Sequence, residues 1–222
     1  MNKSLENIKK FWNWVWNSDS MLSWIVALVL IFIFVKLIFF PGLSLIFGTT
    51  LPLAGVESSS MDHQIVGTDG RYSLCGNVYD STNKDYVNYE RYWDECGDWY
   101  EAHDISKEEF SKFSLSNGFA KGDIIIVWGR FVPTVGDIII FQANRDSSAP
   151  RPIIHRIVNI EDGFIATKGD HNSEQLVKGN NLFNTDETTI TQDRIIGKAV
   201  MKIPYLGWPK IWLVEGLKLI FG

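Results

Sequence analysis

Strand-forming sequence is concentrated in Gly122-Asp123-Ile124-Ile125-Ile126-Val127 and in Gly136-Asp137-Ile138-Ile139-Ile140-Phe141. β-Branched and aromatic residues favour strands, and the Gly-Asp before each run is typical of a turn. Two further runs, at 153–158 and 164–167, are separated by Glu161-Asp162-Gly163, which favours a hairpin turn. Repeated short strands with little helix between them predict a mainly β domain.

An apolar segment precedes this domain. Residues 21–35 carry no charge, Lys36 interrupts the segment, and residues 37–47 are mostly apolar again. A bilayer span needs roughly 20 predominantly apolar residues, so we predict a transmembrane helix at 21–47, kinked or ended by Pro41-Gly42. The alternative is a cleavable signal peptide, which the length and late start of the segment disfavour.

The flanking charges predict how the chain is oriented in the membrane. Lys3, Lys9 and Lys10 precede the apolar segment, whereas residues 37–70 contain no Lys or Arg. Positive charge stays on the cytoplasmic side, which predicts a single-pass protein of the cell (plasma) membrane with a cytoplasmic N-terminus and an extracytoplasmic domain. Residues 1–20 are predicted to be a cytoplasmic interfacial segment, with a simple extension of the span as the alternative.

The rest of the chain divides by composition. Residues 48–209 are predicted to be the extracytoplasmic domain, with a polar insertion of mixed structure at 66–120. Within the insertion, Ser106-Lys107-Glu108-Glu109 matches a capping box and predicts a short helix. Residues 203–222 are apolar and aromatic but carry charges. They are predicted to form a membrane-associated amphipathic segment, with a second span as the alternative.

Charge and cysteine content limit the function classes. The formal net charge is −5 and the chain has no basic stripe, which argues against nucleic-acid binding. Cys75 and Cys96 are the only cysteines. Outside the cytoplasm they could form a disulfide, and two free thiols are the alternative. Two cysteines so spaced, without a matching His pair, are weak evidence for a metal, and we predict no metal and no cofactor.

Several polar residues are candidates for peptide hydrolysis, which by serine needs a nucleophile, a base, a group that orients the base, and oxyanion donors. Ser60 ends a serine triplet soon after the apolar segment, although such triplets are usually solvated loops. His155 is the one of four histidines that lies within a predicted strand. Asp170 follows a strand and Gly169, where an ordinary turn residue is the simpler interpretation.

The order of these segments resembles the type I signal peptidases, in the branch of archaea and the endoplasmic reticulum that uses a Ser-His-Asp site. The serine segment Val56-Glu57-Ser58-Ser59-Ser60-Met61 is followed by the two Gly-Asp strands, then by Ile153-Ile154-His155-Arg156-Ile157 and Thr167-Lys168-Gly169-Asp170. Ile196-Gly197-Lys198 resembles the closing strand of that family. The resemblance covers most of the chain, from about residue 40 to 209. It implies a signal-peptidase-like, barrel-like antiparallel domain on one N-terminal anchor.

The resemblance also implies roles. Ser60 would be the nucleophile, His155 the base and Asp170 its orienting acid, with Ser58 and the backbone of Ser60 as oxyanion donors. For the second acidic residue of the family, the candidates are Asp186, which fits best, Asp193 and Glu174. His171, next to Asp170, is the alternative base.

The implied function is removal of signal peptides from secretory pre-proteins, cut after small residues at the membrane. The expected partners are those pre-proteins, membrane lipid and, as a further candidate, the Sec translocon. The alternatives are a processing protease for another membrane substrate and an inactive, membrane-anchored binding subunit. The chain departs from the family by His63 in place of a proline, Ser59 in place of a common glycine, His171 in place of an asparagine, and longer segments at 66–120 and 173–185.

Overall fold

The computed structural model describes residues 3–68, 71–79, 87–209 and 211. They belong to two compact units, Met1–Ile46 and Phe47–Gly222. Helix α1 spans Lys3–Asn17, and α2 spans Met21–Phe34. Ser20 begins α2 because its hydroxyl accepts a hydrogen bond from the backbone N–H of Ser23 at 3.1 Å.

The apolar segment is helical throughout. After α2 the chain continues through a π-helical turn, Val35–Phe39, into α3, Phe40–Phe47. Together Met21–Phe47 form a helix with a mean hydropathy of 2.8, which by length and composition could cross a membrane. It is the one such helix in the part of the chain that the structure describes.

Pro41 does not end this helix. Proline lacks a backbone N–H and crowds the carbonyl four residues earlier, which normally breaks an α-helix. Here the turn before it is wider, because the N–H of Phe40 bonds to the carbonyl of Val35, five residues back. The π turn adjusts the backbone just before the proline, so the helix continues to Phe47.

The second unit is built on a six-stranded antiparallel sheet in the order β1-β5-β9-β6-β7-β8. Its strands are β1 Leu53–Gly55, β5 Ile124–Trp128, β6 Ile138–Phe141, β7 Ile153–Glu161, β8 Phe164–Lys168 and β9 Ile195–Ile203. A 3₁₀ turn, Gln192–Arg194, leads into β9. The mainly β prediction is confirmed, and the hairpin at Asp162-Gly163 joins β7 to β8 as expected.

The sheet is open, not a closed barrel. The strand order ends at β1 on one side and at β8 on the other. The prediction of a barrel-like domain is therefore corrected to a domain built on an open sheet. Register shifts, which bend strands locally, occur between Ile126 and Val127, Ile140 and Phe141, and Ile157 and Asn159.

The core lies on both faces of this sheet. All four residues of β6 are buried, which explains why its sequence is continuously apolar instead of alternating. Ile138 and Ile140 pack on one face with Ile125, Val127 and Ala199. Ile139 and Phe141 pack on the other face with Ile157, Ile165 and Ile190.

The Gly-Asp pairs form the turns that start β5 and β6. Gly122 and Gly136 have φ of +96° and +91°, a region that favours glycine. The Asp123 carboxylate accepts a hydrogen bond from the N–H of Ala120 at 3.1 Å, and Asp137 accepts one from Thr134 at 3.2 Å. Each Asp therefore closes its turn with its side chain, which gives the repeated motif a local structural reason.

The insertion at 66–120 contributes most of a second hydrophobic core, which also includes Val158 of β7. It contains a three-stranded sheet, β2 Val66–Thr68, β3 Arg71–Leu74 and β4 Asn77–Tyr79, and two helices, α4 Tyr89–Glu101 and α5 Lys107–Phe110. Ser106 caps α5 through the N–H of Glu109, as its sequence predicts, and the helix is short, as expected. Leu74, Tyr92, Tyr100 and Phe110 are completely buried between these elements.

Cys75 and Cys96 form a disulfide that joins the small sheet to α4. Replacing both by serine is expected to lower the free energy of unfolding by about 3 kcal/mol, because the disulfide limits the freedom of the unfolded loop. Urea denaturation followed by tryptophan fluorescence measures this, and the double variant should no longer respond to reductant. Equal stability of the variant and oxidised wild type would contradict the expectation.

The predicted membrane-associated segment at 203–222 is only partly within the described residues. Ile203 ends β9, and residues 204–209 follow it. Most of the segment, residue 210 and residues 212–222, lies outside the described part of the chain.

Candidate active site

Ser60 lies in a loop after β1 that is tied to several distant segments. The carbonyl of Ser60 accepts a hydrogen bond from the N–H of His171 at 2.9 Å. The next residue, Met61, is 1% exposed, and its carbonyl accepts the N–H of Phe119 at 2.9 Å. The Ser60 and Ser58 hydroxyls are 3.3 Å apart. The loop is therefore anchored on both sides of the serine, which limits how far its side chain can move.

Ser58, Ser60 and His155 line one cavity of about 730 Å³. Its other walls are mainly apolar and come from β1, the start of β7 and the segment at 176–185, including Leu53, Ile154, Leu176 and Phe183. An apolar cleft with a few convergent polar groups is the usual form of a ligand site.

His155 is held by the register of β7 and by a buried acid. It pairs with Ile139 of the central strand β6. Its Nδ1 is hydrogen-bonded to the Oε2 of Glu187, and both side chains are at most 3% exposed. A carboxylate on Nδ1 keeps the proton on that nitrogen, which leaves Nε2 free to accept one.

Nε2 of His155 is directed toward the serine loop. A Cβ built on Gly169 would lie 2.8 Å from His155 Nε2 and 2.8 Å from the Ser60 carbonyl oxygen. These two atoms are therefore no further apart than twice that distance. Gly169 has no side chain to fill this space, which allows the base and the nucleophile loop to approach each other.

Glu187 is fully buried, and both its carboxylate and its backbone carbonyl accept hydrogen bonds. Its carboxylate accepts hydrogen bonds from the hydroxyl of Thr167 at 2.9 Å and the N–H of Leu176 at 2.7 Å. Its backbone carbonyl accepts the N–H of Thr167 at 2.8 Å. These contacts fix the carboxylate behind the imidazole, as an acid that orients a catalytic base must be fixed.

The resemblance inferred from the sequence favours Asp186 over its neighbour Glu187, and no local motif distinguishes the two. The pairing of Thr167 with Glu187 across the fold turns Glu187 inward, whereas the Asp186 carboxylate bonds to the hydroxyl and N–H of Thr188. The other acidic candidates also lie elsewhere: Glu174 accepts a hydrogen bond from Trp99, and Asp193 is in the exposed 3₁₀ turn.

Asp170 is not placed against His155 as predicted. Its carboxylate accepts hydrogen bonds from Arg156 at 2.9 and 2.6 Å, from Nε2 of His63 at 3.0 Å and from the hydroxyl of Tyr100 at 3.1 Å. Side chains alternate along a strand, so Arg156 points to the opposite face from His155. Asp170 is hydrogen-bonded to Arg156 and therefore lies on that opposite face. The alternative base, His171, bonds through Nδ1 to the carbonyl of Asp62 at 2.8 Å.

Asp170 is charged in this environment. Burial alone would raise the pKa of its carboxyl, but the adjacent Arg156 charge and the hydrogen bonds from His63 and Arg156 outweigh burial and hold the pKa below its ordinary value. Burial lowers the pKa of His63, so its ring is neutral at pH 7 and donates to Asp170 through Nε2. Asp170 and Arg156 are thus a buried ion pair.

Replacing Asp170 by asparagine is expected to lower the free energy of unfolding by about 3–5 kcal/mol, because it leaves the Arg156 charge buried without its partner. Urea denaturation measures the change. The matched variant Asp146→Asn breaks an ion pair with Lys178 that is half-exposed, and it should unfold close to the wild type. A loss for Asp170→Asn no larger than for Asp146→Asn would contradict the expectation.

The described residues contain no group of three or more His, Cys, Asp or Glu side chains that could hold a metal ion. The site instead brings together a serine hydroxyl, an imidazole with a free Nε2, and a buried carboxylate on Nδ1. This is the set of groups that serine hydrolases use for acyl transfer, here on an open antiparallel sheet.

The chain is similar in sequence to several known proteins. The chain is 28% identical over 109 residues to the signal peptidase complex catalytic subunit SEC11 of Colletotrichum graminicola, covering 46% of this chain and 60% of that protein. The corresponding subunit of Candida albicans is 28% identical over 115 residues, 49% of this chain and 66% of the relative. That of Pyrenophora tritici-repentis is 30% identical over 109 residues, 46% of this chain and 60% of the relative.

These proteins are homologues of the chain, which confirms the resemblance inferred from its motifs. The chain spans about 60% of the length of the first of these relatives. No family model matches the chain.

Proposed function

We propose that this protein is a membrane-anchored serine endopeptidase that removes N-terminal signal peptides from exported pre-proteins. The observation that carries the proposal is the cavity shared by Ser60 and His155, with the Glu187 carboxylate buried on His155 Nδ1. The names of the homologous proteins, signal peptidase complex catalytic subunits, support the same activity.

In the proposed reaction, Ser60 Oγ attacks the carbonyl carbon of the scissile peptide bond while His155 Nε2 takes its proton. Glu187 stabilises the imidazolium that forms. His155 then gives the proton to the leaving amine, which releases the new N-terminus and leaves an acyl-enzyme. A water, deprotonated by His155, hydrolyses the ester and restores Ser60.

We assign stabilisation of the oxyanion to hydrogen bonds from the Ser58 hydroxyl and the backbone N–H of Ser60. The 3.3 Å separation of the Ser58 and Ser60 hydroxyls supports this, because a donor for the oxyanion must lie next to the attacking oxygen. Asp170, the acid that the sequence suggested for His155, is assigned a structural role through Arg156 in this proposal, and Asp186 is assigned none.

The substrate is proposed to bind as an extended strand. β1 is an end strand of the sheet, and its residues Leu53, Ala54 and Gly55 line the cavity. An edge strand offers unpaired N–H and C=O groups to which an extended peptide can add. Small residues at positions −3 and −1 of the pre-protein would then face the apolar wall beside Ser60.

The proposed location follows from the apolar helix and its flanking lysines. Residues 21–47 would be the single span, residues 1–20 would lie on the cytoplasmic leaflet, and residues 48–209 would be extracytoplasmic. The plasma membrane and the Sec translocon remain the predicted membrane and partner. The word "complex" in the names of the relatives suggests partner subunits as well.

The test is cleavage of a model pre-protein by the purified full-length chain in detergent, with the product mass giving the cut site. A single cut after a small residue is expected, and a pre-protein with a bulky residue at −1 should stay intact. No cut under conditions in which a known signal peptidase cuts the same pre-protein would contradict the proposal. A cut at an unrelated position would indicate a processing protease with another substrate.

A further inference from the structure

The insertion at 66–120 contacts Asp170 and His171, which lie beside the loop that carries Ser60. The hydroxyl of Tyr100 on α4 donates to the Asp170 carboxylate at 3.1 Å, and the hydroxyl of Tyr92 donates to the Asp170 carbonyl at 2.9 Å. The N–H of Cys75 donates to the carbonyl of His171 at 3.0 Å. Two elements of the insertion therefore hold both the side chain and the backbone of residues 170–171.

The same carboxylate is bonded to the nucleophile loop. His63, three residues after Ser60, donates from Nε2 to Asp170 at 3.0 Å. Its ring also stacks on Tyr92, with centroids 3.7 Å apart and planes 4° apart. Both His63 and Asp170 are buried. His63 thus connects the serine loop to α4 of the insertion as well as to Asp170.

The base-bearing strand enters this network through Arg156, the neighbour of His155. Arg156 is fully buried and bonds to Asp170, to the carbonyls of Ser114 and Leu115 at the end of the insertion, and to that of Gly136. Its guanidinium lies 4.8 Å from the centroid of the Phe110 ring. Asp170 is therefore the meeting point of the serine loop, the histidine strand and the insertion.

Residues 169–171 connect Asp170 to Ser60 and His155, the proposed reacting groups. The N–H of His171 is bonded to the carbonyl of Ser60, and a Cβ built on Gly169 would lie 2.8 Å from both that carbonyl oxygen and His155 Nε2. Acyl transfer requires the nucleophile and the base to be held to within a fraction of an ångström, so a shift of this segment would slow the chemistry.

We propose that the insertion is a brace for the active site, in which Tyr100 and His63 are positioning residues that set the placement of Ser60 relative to His155 through Asp170. This inference rests on the proposed function, because it assigns Ser60 and His155 as the reacting pair. It gives the long insertion a role in the reaction step rather than in substrate binding.

Tyr100→Phe tests the brace, because it removes one hydroxyl and keeps the ring. The matched control is Tyr89→Phe: Tyr89 is on the same helix and packs against the same core, but its hydroxyl donates to the carbonyl of Lys107. With full-length protein in detergent, we expect Tyr100→Phe to lower kcat for pre-protein cleavage roughly tenfold with KM unchanged. Tyr89→Phe should keep the wild-type kcat.

A second measurement separates this inference from the proposed function. A fluorophosphonate probe that acylates reactive serines should label Ser60, and Tyr100→Phe should slow labelling by a factor similar to its loss in kcat. If wild type is labelled but does not cut the pre-protein, the substrate assignment fails and the probe rates still test the brace. Wild-type kcat and labelling rate in Tyr100→Phe, or equal losses in Tyr100→Phe and Tyr89→Phe, would overturn the brace.

Discussion

Ser60→Ala is expected to lower kcat for pre-protein cleavage by more than roughly ten-thousandfold, the largest effect that we predict for this chain. Alanine removes the oxygen that is proposed to form the acyl-enzyme. It leaves the loop intact, because the loop is held by backbone bonds of Ser60 and by the buried Met61. KM should change little, since the cavity keeps its shape. Initial rates with a fluorescent pre-protein give both constants.

Ser59→Ala is the matched control for this experiment. Ser59 belongs to the same serine triplet, but its structural contact is made by the backbone: its carbonyl accepts the N–H of Asp62 at 2.9 Å. Alanine keeps that contact, so activity should stay near the wild type. Retained cleavage in Ser60→Ala, or a comparable loss in Ser59→Ala, would show that Ser60 is not the nucleophile.

Glu187→Gln is expected to lower kcat by about a thousand- to ten-thousandfold. The amide is nearly the same size, so packing is kept, but it is uncharged and can present its NH₂ group to His155 Nδ1. The imidazole would then lose the tautomer that leaves Nε2 free, and the imidazolium would lose its counter-charge. Steady-state rates and the rate of fluorophosphonate labelling should fall together, because in the proposed mechanism both require His155 to act as a base.

Asp186→Asn separates the structural assignment from the one suggested by sequence. Asp186 is the neighbour of Glu187 in the chain, yet its carboxylate bonds to Thr188. We expect this variant to cleave close to the wild-type rate. If instead Asp186→Asn is inactive and Glu187→Gln is active, the acid of the site is Asp186 and the structural assignment is wrong.

The carboxylate that contacts His155 could not be predicted from the sequence, as Asp170 illustrates. Asp170 lies in the most recognisable motif of the chain, Thr167-Lys168-Gly169-Asp170, and follows a strand adjacent to that of His155. No local sequence pattern indicates that Arg156, one residue after His155, bonds to the Asp170 carboxylate on the opposite face of the strand. The position of Glu187 depends on its backbone pairing with Thr167, a contact between segments far apart in the chain.

The insertion was recognisable as an insertion, but its role was not. Its polar composition and its capping box at Ser106 could be read directly, because capping is a local interaction. The hydroxyl bonds of Tyr92 and Tyr100 to Asp170 join residues that are 78 and 70 positions apart. Contacts of that range leave no periodic pattern in a single sequence.

The sequence alone predicts the apolar helix, the short strands, the Gly-Asp turns, and the serine and histidine as candidates. Each of these follows from interactions within a few residues: burial of an apolar run, strand propensity, or an Asp side chain closing its own turn. Three features depend on packing between distant segments: the sheet is open, Glu187 and not Asp170 contacts His155, and the insertion holds Asp170. The reason is physical: alternation along a strand shows which residues share a face, but the partner on that face is chosen by packing between distant segments.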